Sequence, residues 1–265
     1  MDNRRKRLGI PPNWKDVWVS PDPCSHLQAT GKDQKGRLQY IYHPMWVLMA
    51  QDEKYQRMAR FQKQLPKLQR ALREEGGIIE IMFRILSKTH IRIGNESYAK
   101  DNGTYGLCTL QWQHIRLRGS EVTLEFVGKK GIPHLVRIRD TKIANWLRAH
   151  MGPRGTRIFP KTSEDLNEFL QRHMGREFIC KDFRTYASNI HFLRDLCAVK
   201  NIPQTLAERK KVLKEVYIET AEKLGHTKEI SKKSYVMPVI SEYYLRDPLF
   251  FRGKDPERLL WLLVR

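Results

Sequence analysis

The sequence predicts an α+β fold: a small β-rich amino-terminal domain, then a larger, mostly α domain that carries one small antiparallel sheet. Three observations carry that prediction. Residues 8–50 are rich in Pro, Gly and aromatics and show little helical periodicity. From Asp52 onward apolar residues recur at steps of three and four, the spacing of an amphipathic helix. Between 107 and 139 the pattern changes to alternation broken by glycine turns, and beyond 140 it is helical again. The boundary falls near 50–53, giving domains of residues 1–52 and 53–265.

Residues 36–42, Gly-Arg-Leu-Gln-Tyr-Ile-Tyr, alternate polar and apolar as a half-buried strand does. Tyr55, Met58, Phe61, Leu65, Leu68 and Leu72 mark one helix face, which Pro66 is expected to interrupt and Gly76-Gly77 to stop. A second apolar helix starts at Ile78 and ends before Arg92. Strands are expected around Ile115 and Leu117, around Val122, Leu124 and Phe126, and around Leu135, Val136 and Ile138, with turns at 119–120 and 128–131. Helices follow over 141–150, 163–174, 182–198 and 203–224, the last with Pro203 at its start. Gly225 suits the left-handed position that closes this helix, leaving His226 at its carbonyl end. Trp261-Leu-Leu-Val reads as a terminal helix, and there is no internal repeat.

Lys and Arg number 49 against 29 Asp and Glu, a formal charge of +20. Such an excess calls for a polyanionic partner, nucleic acid first. No run of about 18 apolar residues exists to cross a membrane. The start, Asn3-Arg-Arg-Lys-Arg-Leu, lacks the apolar segment of a signal peptide and reads as a solvated basic tail that touches DNA, ahead of a nuclear address. Cys24, Cys108, Cys180 and Cys197 are scattered with no CxxC pair, the usage of reduced thiols in an intracellular protein. Neither a DxD pair nor a glycine-rich phosphate loop is present, so no metal–carboxylate site and no nucleotide site is predicted.

The chemistry-bearing residues are Tyr235, nine residues after His226; Arg184, in Lys181-Asp-Phe-Arg-Thr-Tyr; Lys129, in the hairpin turn Phe126-Val-Gly-Lys-Lys-Gly-Ile; and Arg92, after the second helix. Lys181 and Arg184 share a helix face and repel unless an anion lies between them, for which phosphate is the natural candidate. Taken singly, these are an ordinary surface arginine, turn lysine, helix-cap histidine and half-buried tyrosine. Taken together, they are a set able to attack a phosphodiester without a metal. A phenol is the nucleophile, cations hold the phosphorane charge, and an amine protonates the leaving alcohol.

The stretches Ile10-Pro-Pro-Asn-Trp-Lys-Asp-Val, Leu27-Gln-Ala-Thr-Gly-Lys-Asp-Gln-Lys-Gly-Arg-Leu-Gln-Tyr, Ile91-Arg-Ile-Gly-Asn-Glu-Ser-Tyr-Ala, Gly103-Thr-Tyr-Gly-Leu-Cys-Thr-Leu, Phe126-Val-Gly-Lys, Lys181-Asp-Phe-Arg-Thr-Tyr and Leu224 through Tyr235 occur in one order along nearly the whole chain. In these stretches the sequence resembles the type IB DNA topoisomerases, in their small poxvirus and bacterial form. The resemblance implies the catalytic fold shared by those enzymes and the tyrosine recombinases, acting on double-stranded DNA without cofactor in a bacterial cytoplasm or a viral particle or factory; a monomer is expected because one chain holds every catalytic part. It further implies Tyr235 as nucleophile, Arg92 and Arg184 as clamps on the non-bridging oxygens, His226 as a third donor, and Lys129 rather than Lys130 as general acid. Arg37, Gln39, Tyr40, Tyr42, Tyr98, Lys181, Asn189 and Lys232 are the implied DNA contacts. The chain begins where family members already have strands behind them, so the amino-terminal domain is expected to be shortened. Asn95 and Ser97 stand where some relatives carry lysines.

A site-specific tyrosine recombinase, which uses a similar residue set, is the alternative. Those enzymes carry a HxxR pattern, and the histidine position is Lys181 here. A non-catalytic DNA-binding relative would share the charge but need not keep all five groups. An RNA-binding module would show stacking motifs that this chain lacks.

Overall fold

The computed structural model describes residues 2–264 and divides into two units between Gln56 and Arg57. The amino-terminal unit opens with helix α1 (Asp2–Arg7), followed by an antiparallel meander of β1 (Lys15–Val19), β2 (Leu27–Lys32) and β3 (Leu38–Tyr42) in that spatial order. The Arg4 guanidinium ties α1 to the β1–β2 loop, donating to the carbonyls of Pro21 and Asp22 and to Gln28 Oε1, each at 3.1 Å. The β2–β3 turn is organised by Asp33, whose carboxylate accepts from the backbone N–H groups of Lys35 and Arg37, while Gly36 takes the positive φ of 73° that the turn requires.

Helix α2 (Pro44–Glu75) begins eight residues earlier than the periodicity suggested and is continuous through Pro66. Two local facts account for the difference. Pro44 can sit at a helix start, where its missing N–H has no intrahelical partner to lose. Pro66 is exposed, so water can solvate the carbonyl that its ring leaves without a donor. The early start leaves Met45, Trp46, Val47, Leu48 and Met49 helical yet exposed.

In the carboxy-terminal unit, α3 (Gly77–Thr89) is buried over most of its circumference, at Ile79, Ile81, Met82, Phe83, Ile85 and Leu86. It is therefore a core helix rather than a surface one. Its one buried acid, Glu80, is met by Lys142 Nζ at 2.6 Å. Helix α3 stops at His90, which adopts a left-handed φ of 52°. The short helix α4 (Glu96–Asn102), capped by Asn95 and closed by Gly103, was not anticipated. Residues 107–114 form short 3-10 turns rather than strand. The sheet itself is β4 (Ile115–Arg118), β5 (Glu121–Val127) and β6 (Pro133–Arg139), antiparallel and sequential, with Phe126 opposite His134.

Then come α5 (Thr141–Ala149), α6 (Ser163–Met174), α7 (Lys181–Cys197) and α8 (Leu206–Leu224). The first three lie close to the predicted spans. Helix α8 starts three residues after Pro203, because Thr205 and Glu208 form a reciprocal capping box there. Short turns at Lys228–Ile230 (α9) and Ser231–Tyr235 lead into α10 (Pro238–Arg246), and α11 (Pro256–Leu263) covers the expected terminal helix. Helix α7 runs through the centre of this unit, packed against α8 and α11. Phe183 at its start meets Phe61 of α2 edge-on at 5.1 Å, and Phe178 meets the same ring at 5.8 Å. Among the described residues no helix is long and apolar enough to cross a membrane.

Candidate active site

Four of the five predicted groups converge beside the start of α7. Arg184, one turn into that helix, is only 3% exposed. Its Nη1 donates to His90 O at 2.7 Å, and its Nη2 donates to Leu224 O and to His226 Nδ1, the latter at 3.0 Å. Leu224 is the last residue of α8, so a helix carbonyl end faces the guanidinium, the favourable polarity for a cation. Neither Arg184 nor Arg92 has a carboxylate partner among the described residues. Burial, reinforced by the nearby Arg92 charge, lowers the Arg184 pKa to about 10, while the Tyr235 side chain pulls the other way. Arg184 still carries its charge at neutral pH. Two close guanidiniums without a carboxylate form a site that an anion would stabilise.

Arg92 hangs from the loop after α3, and glycine fixes that loop. Leu107 N and Cys108 N donate to Arg92 O and Ile93 O at 2.8 and 2.7 Å. Gly94, at φ 87°, lies so close to Gly106 that a methyl on Gly106 would sit 2.7 Å from Gly94 Cα. Only glycine permits this approach of two backbones.

His226 owes its place to Gly225. Gly225 ends α8 in the left-handed conformation at φ 59°, and His226 N returns to Ala221 O at 3.0 Å. A guanidinium can only donate, so His226 Nδ1 accepts from Arg184 and the ring proton resides on Nε2. That Nε2 is buried with no hydrogen-bond partner among the described residues. Burial first, then Arg184 and Arg92, lowers the His226 pKa to about 3, so the ring is a neutral donor.

Tyr235 ends the wide turn Ser231–Tyr235, closed by Val236 N bonding to Ser231 O at 2.9 Å. Such i→i+5 turns are uncommon and cluster at functional sites. Its ring stacks on His226 with centroids 4.8 Å apart and 18° between planes, and the Arg184 guanidinium carbon lies 5.5 Å from the ring centre. Lys129 stands apart from these four. It sits exposed at the β5–β6 tip, in a turn where Lys130 adopts a φ of 67°, and has no hydrogen-bond or ion-pair partner among the described residues.

Of the expected DNA contacts, Tyr40 and Tyr42 lie exposed on one face of β3 and stack at 6.1 Å. Arg37 and Gln39 are both engaged by Asp33, at 2.6 and 3.0 Å. Tyr98 on α4, Lys181 at the start of α7 and Lys232 in the wide turn are exposed. Asn189 departs from the expectation of a DNA contact. It is fully buried, with Nδ2 donating to Tyr235 O at 3.0 Å and to Thr185 O at 2.8 Å, while Oδ1 accepts from Met237 N at 2.9 Å. Its amide holds the backbone on both sides of Val236.

Two further histidines at the site had no signal in the sequence. His90 supplies the carbonyl that fixes Arg184. His134 on β6 is lowered to about 4, by burial first and then by Arg184 and Arg92.

A central helix carrying a buried arginine, and a tyrosine stacked on a histidine beside two arginines without carboxylate partners, make a site suited to a phosphate group. The model describing the catalytic core of eukaryotic DNA topoisomerase I matches residues 45–239. The model describing the bacterial DNA topoisomerase IB amino-terminal domain matches residues 2–33. DNA topoisomerase 1B of Acanthamoeba polyphaga mimivirus is 35% identical, across 99% of this chain and 86% of its own. That of vaccinia virus (strain Copenhagen) is 28% identical, across 89% and 80%. DNA topoisomerase 1 of Drosophila melanogaster is 25% identical, across 93% of this chain but 29% of its own. The chain belongs to the type IB DNA topoisomerases.

Proposed function

We propose that this chain relaxes supercoiled duplex DNA by cutting one strand through Tyr235, holding the 3′ side as a phosphotyrosyl ester, and resealing it, using neither ATP nor a metal ion. The observation that carries this reading is Tyr235 stacked on a neutral His226 beside two arginines that lack carboxylate partners. The phenol gives its proton to water as its oxygen attacks, forming the Tyr–O–P bond while the P–O5′ bond breaks. Arg92, Arg184 and the His226 Nε2–H meet the charge that builds on the non-bridging oxygens. Losing one such donor costs roughly 10²–10³ in rate. Lys129 gives its proton to the departing 5′-oxygen, a contribution of about 10²–10⁴. The ester conserves the energy of the broken bond, so the 5′-hydroxyl reseals the strand by the reverse step. Strand rotation between the two steps relaxes supercoils.

In this reading residues 1–52 supply groove contacts through Arg37, Gln39, Tyr40 and Tyr42, and residues 53–265 supply the chemistry, with Tyr98, Lys181 and Lys232 on flanking phosphates. A monomer suffices, since one chain holds every reacting group. The enzyme works wherever the cell or virus keeps its DNA. The test is plasmid relaxation in EDTA without ATP, run beside Tyr235→Phe. Relaxation by the wild type alone, with DNA binding retained by the variant, is expected. Covalent trapping of DNA by Tyr235→Phe would overturn the nucleophile assignment.

A further inference from the structure

We propose that His134 is a positioning residue that seats the Lys129 hairpin against the His226 corner of the site; this rests on Lys129 being the general acid. The imidazole lies between two glycines, each immediately ahead of a residue of the proposed machinery. A methyl on Gly128, which precedes Lys129, would come within 2.6 Å of His134 Cδ2. A methyl on Gly225, which precedes His226, would come within 2.9 Å of His134 Nδ1. The ring is also stacked on Phe126, its cross-strand partner, at 4.9 Å and 8°. The hairpin tip beyond it is closed by Gly128 N bonding to Ile132 O at 2.7 Å.

This arrangement is a wedge keyed to both sides. The β5–β6 tip is otherwise exposed, and Lys129 finds no hydrogen-bond or ion-pair partner among the described residues. An amine on a free hairpin samples many positions, and a displacement of about 1 Å in a reacting group can cost roughly 10²-fold in rate. A planar ring held flat on Phe126 and fitted against two Cβ-less residues fixes the root of that tip. It also ties the root to the segment that carries His226. The imidazole is neutral at neutral pH, so it adds no charge beside Arg92 and Arg184. Gly128 has a φ of −94°, which any residue adopts. Its lack of a side chain is therefore demanded by the His134 ring and not by the backbone. Gly225, at φ 59°, is constrained by both.

The test compares single-turnover cleavage of an ordinary duplex with cleavage of one whose scissile 5′-oxygen is replaced by sulfur, a leaving group that needs no proton. Wild type, Lys129→Ala, His134→Ala, Gly128→Ala and the Gly128→Ala/His134→Ala pair are measured, with melting curves as the fold check. On the ordinary duplex His134→Ala and Gly128→Ala are each expected to slow cleavage roughly 10²-fold. On the sulfur duplex both are expected to return to the wild-type rate, as Lys129→Ala does. The paired variant is expected to be no slower than His134→Ala alone, because removing the ring removes the clash. If His134→Ala does not fold, Gly128→Ala decides alone. Rescue of Lys129→Ala without rescue of Gly128→Ala or His134→Ala would overturn the role of His134 and leave the general acid standing. Multiplying defects in the pair would overturn it as well. Failure to rescue Lys129→Ala would remove the general-acid reading, and the proposal with it.

Discussion

Replacing Asn189 with alanine probes how the tyrosine segment is held. The amide makes three hydrogen bonds, to Tyr235 O, Thr185 O and Met237 N. Thr185 O keeps its own helical partner inside α7, so that loss is mild. Tyr235 O and Met237 N lose the amide from a fully buried position, and each such orphan costs roughly 1–3 kcal/mol. The expected destabilisation is about 2–6 kcal/mol. For a unit of this size, melting shifts by roughly 2–4 °C per kcal/mol, so Asn189→Ala should melt about 10 °C lower. The freed Tyr235 segment should also slow single-turnover cleavage by roughly 10-fold to 10²-fold. Affinity for uncleaved duplex, measured by fluorescence anisotropy below the melting range, should remain at the wild-type value, because the side chain is sealed from solvent. Unchanged melting together with weakened DNA binding would refute this reasoning and return Asn189 to the DNA surface.

Gly106→Ala should cost about 1–3 kcal/mol in urea unfolding and slow cleavage, because the new methyl meets the backbone of Arg92 and Gly94; a silent substitution would mean that the Arg92 loop is not tightly held. His226 titrates near 3 and His90 near 4 in the folded chain, against an ordinary value of 6.5. Both folded values are depressed, so the unfolded chain takes up these protons first. Their stabilisation is intact above about 6.5 and is lost as pH falls toward 4 and 3, by up to about 1.4 kcal/mol per histidine per pH unit. Urea midpoints should therefore drop between pH 7.5 and 5.5, and less steeply in His226→Gln. A parallel pH profile in that variant would count against a buried neutral His226.

Local chemistry made much of this molecule legible. The left-handed end at Gly225, the β5–β6 turn and the buried α3 follow from short windows of sequence. Pro66 misled because whether a helix survives a proline depends on which face carries it, and the face is a tertiary fact. The run 45–49 lies in a stretch rich in Pro and aromatics, so no local pattern marks it as the first turns of α2. For the site, the resemblance identified residue types in order, and the convergence of Arg184, His226 and Tyr235 follows that list. What surrounds them was hidden. The His134 wedge joins a strand to a helix end some ninety residues away in sequence, and the Gly94–Gly106 contact needs two loops to be seen at once. Asn189 lies mid-helix, where an amide is usually solvated, and nothing in its neighbours announces a partner at Met237.

Arg184 and Asn189 belong to one helix, five residues apart. The same stiff rod thus carries the buried Arg184 guanidinium and grips the peptide from which the Tyr235 phenol projects. One rigid element therefore sets the spacing between these two groups. The vulnerability is one of phase. A single residue inserted between positions 184 and 189 would turn one end by about 100° relative to the other. Along this stretch the enzyme can exchange side chains more readily than it can change length.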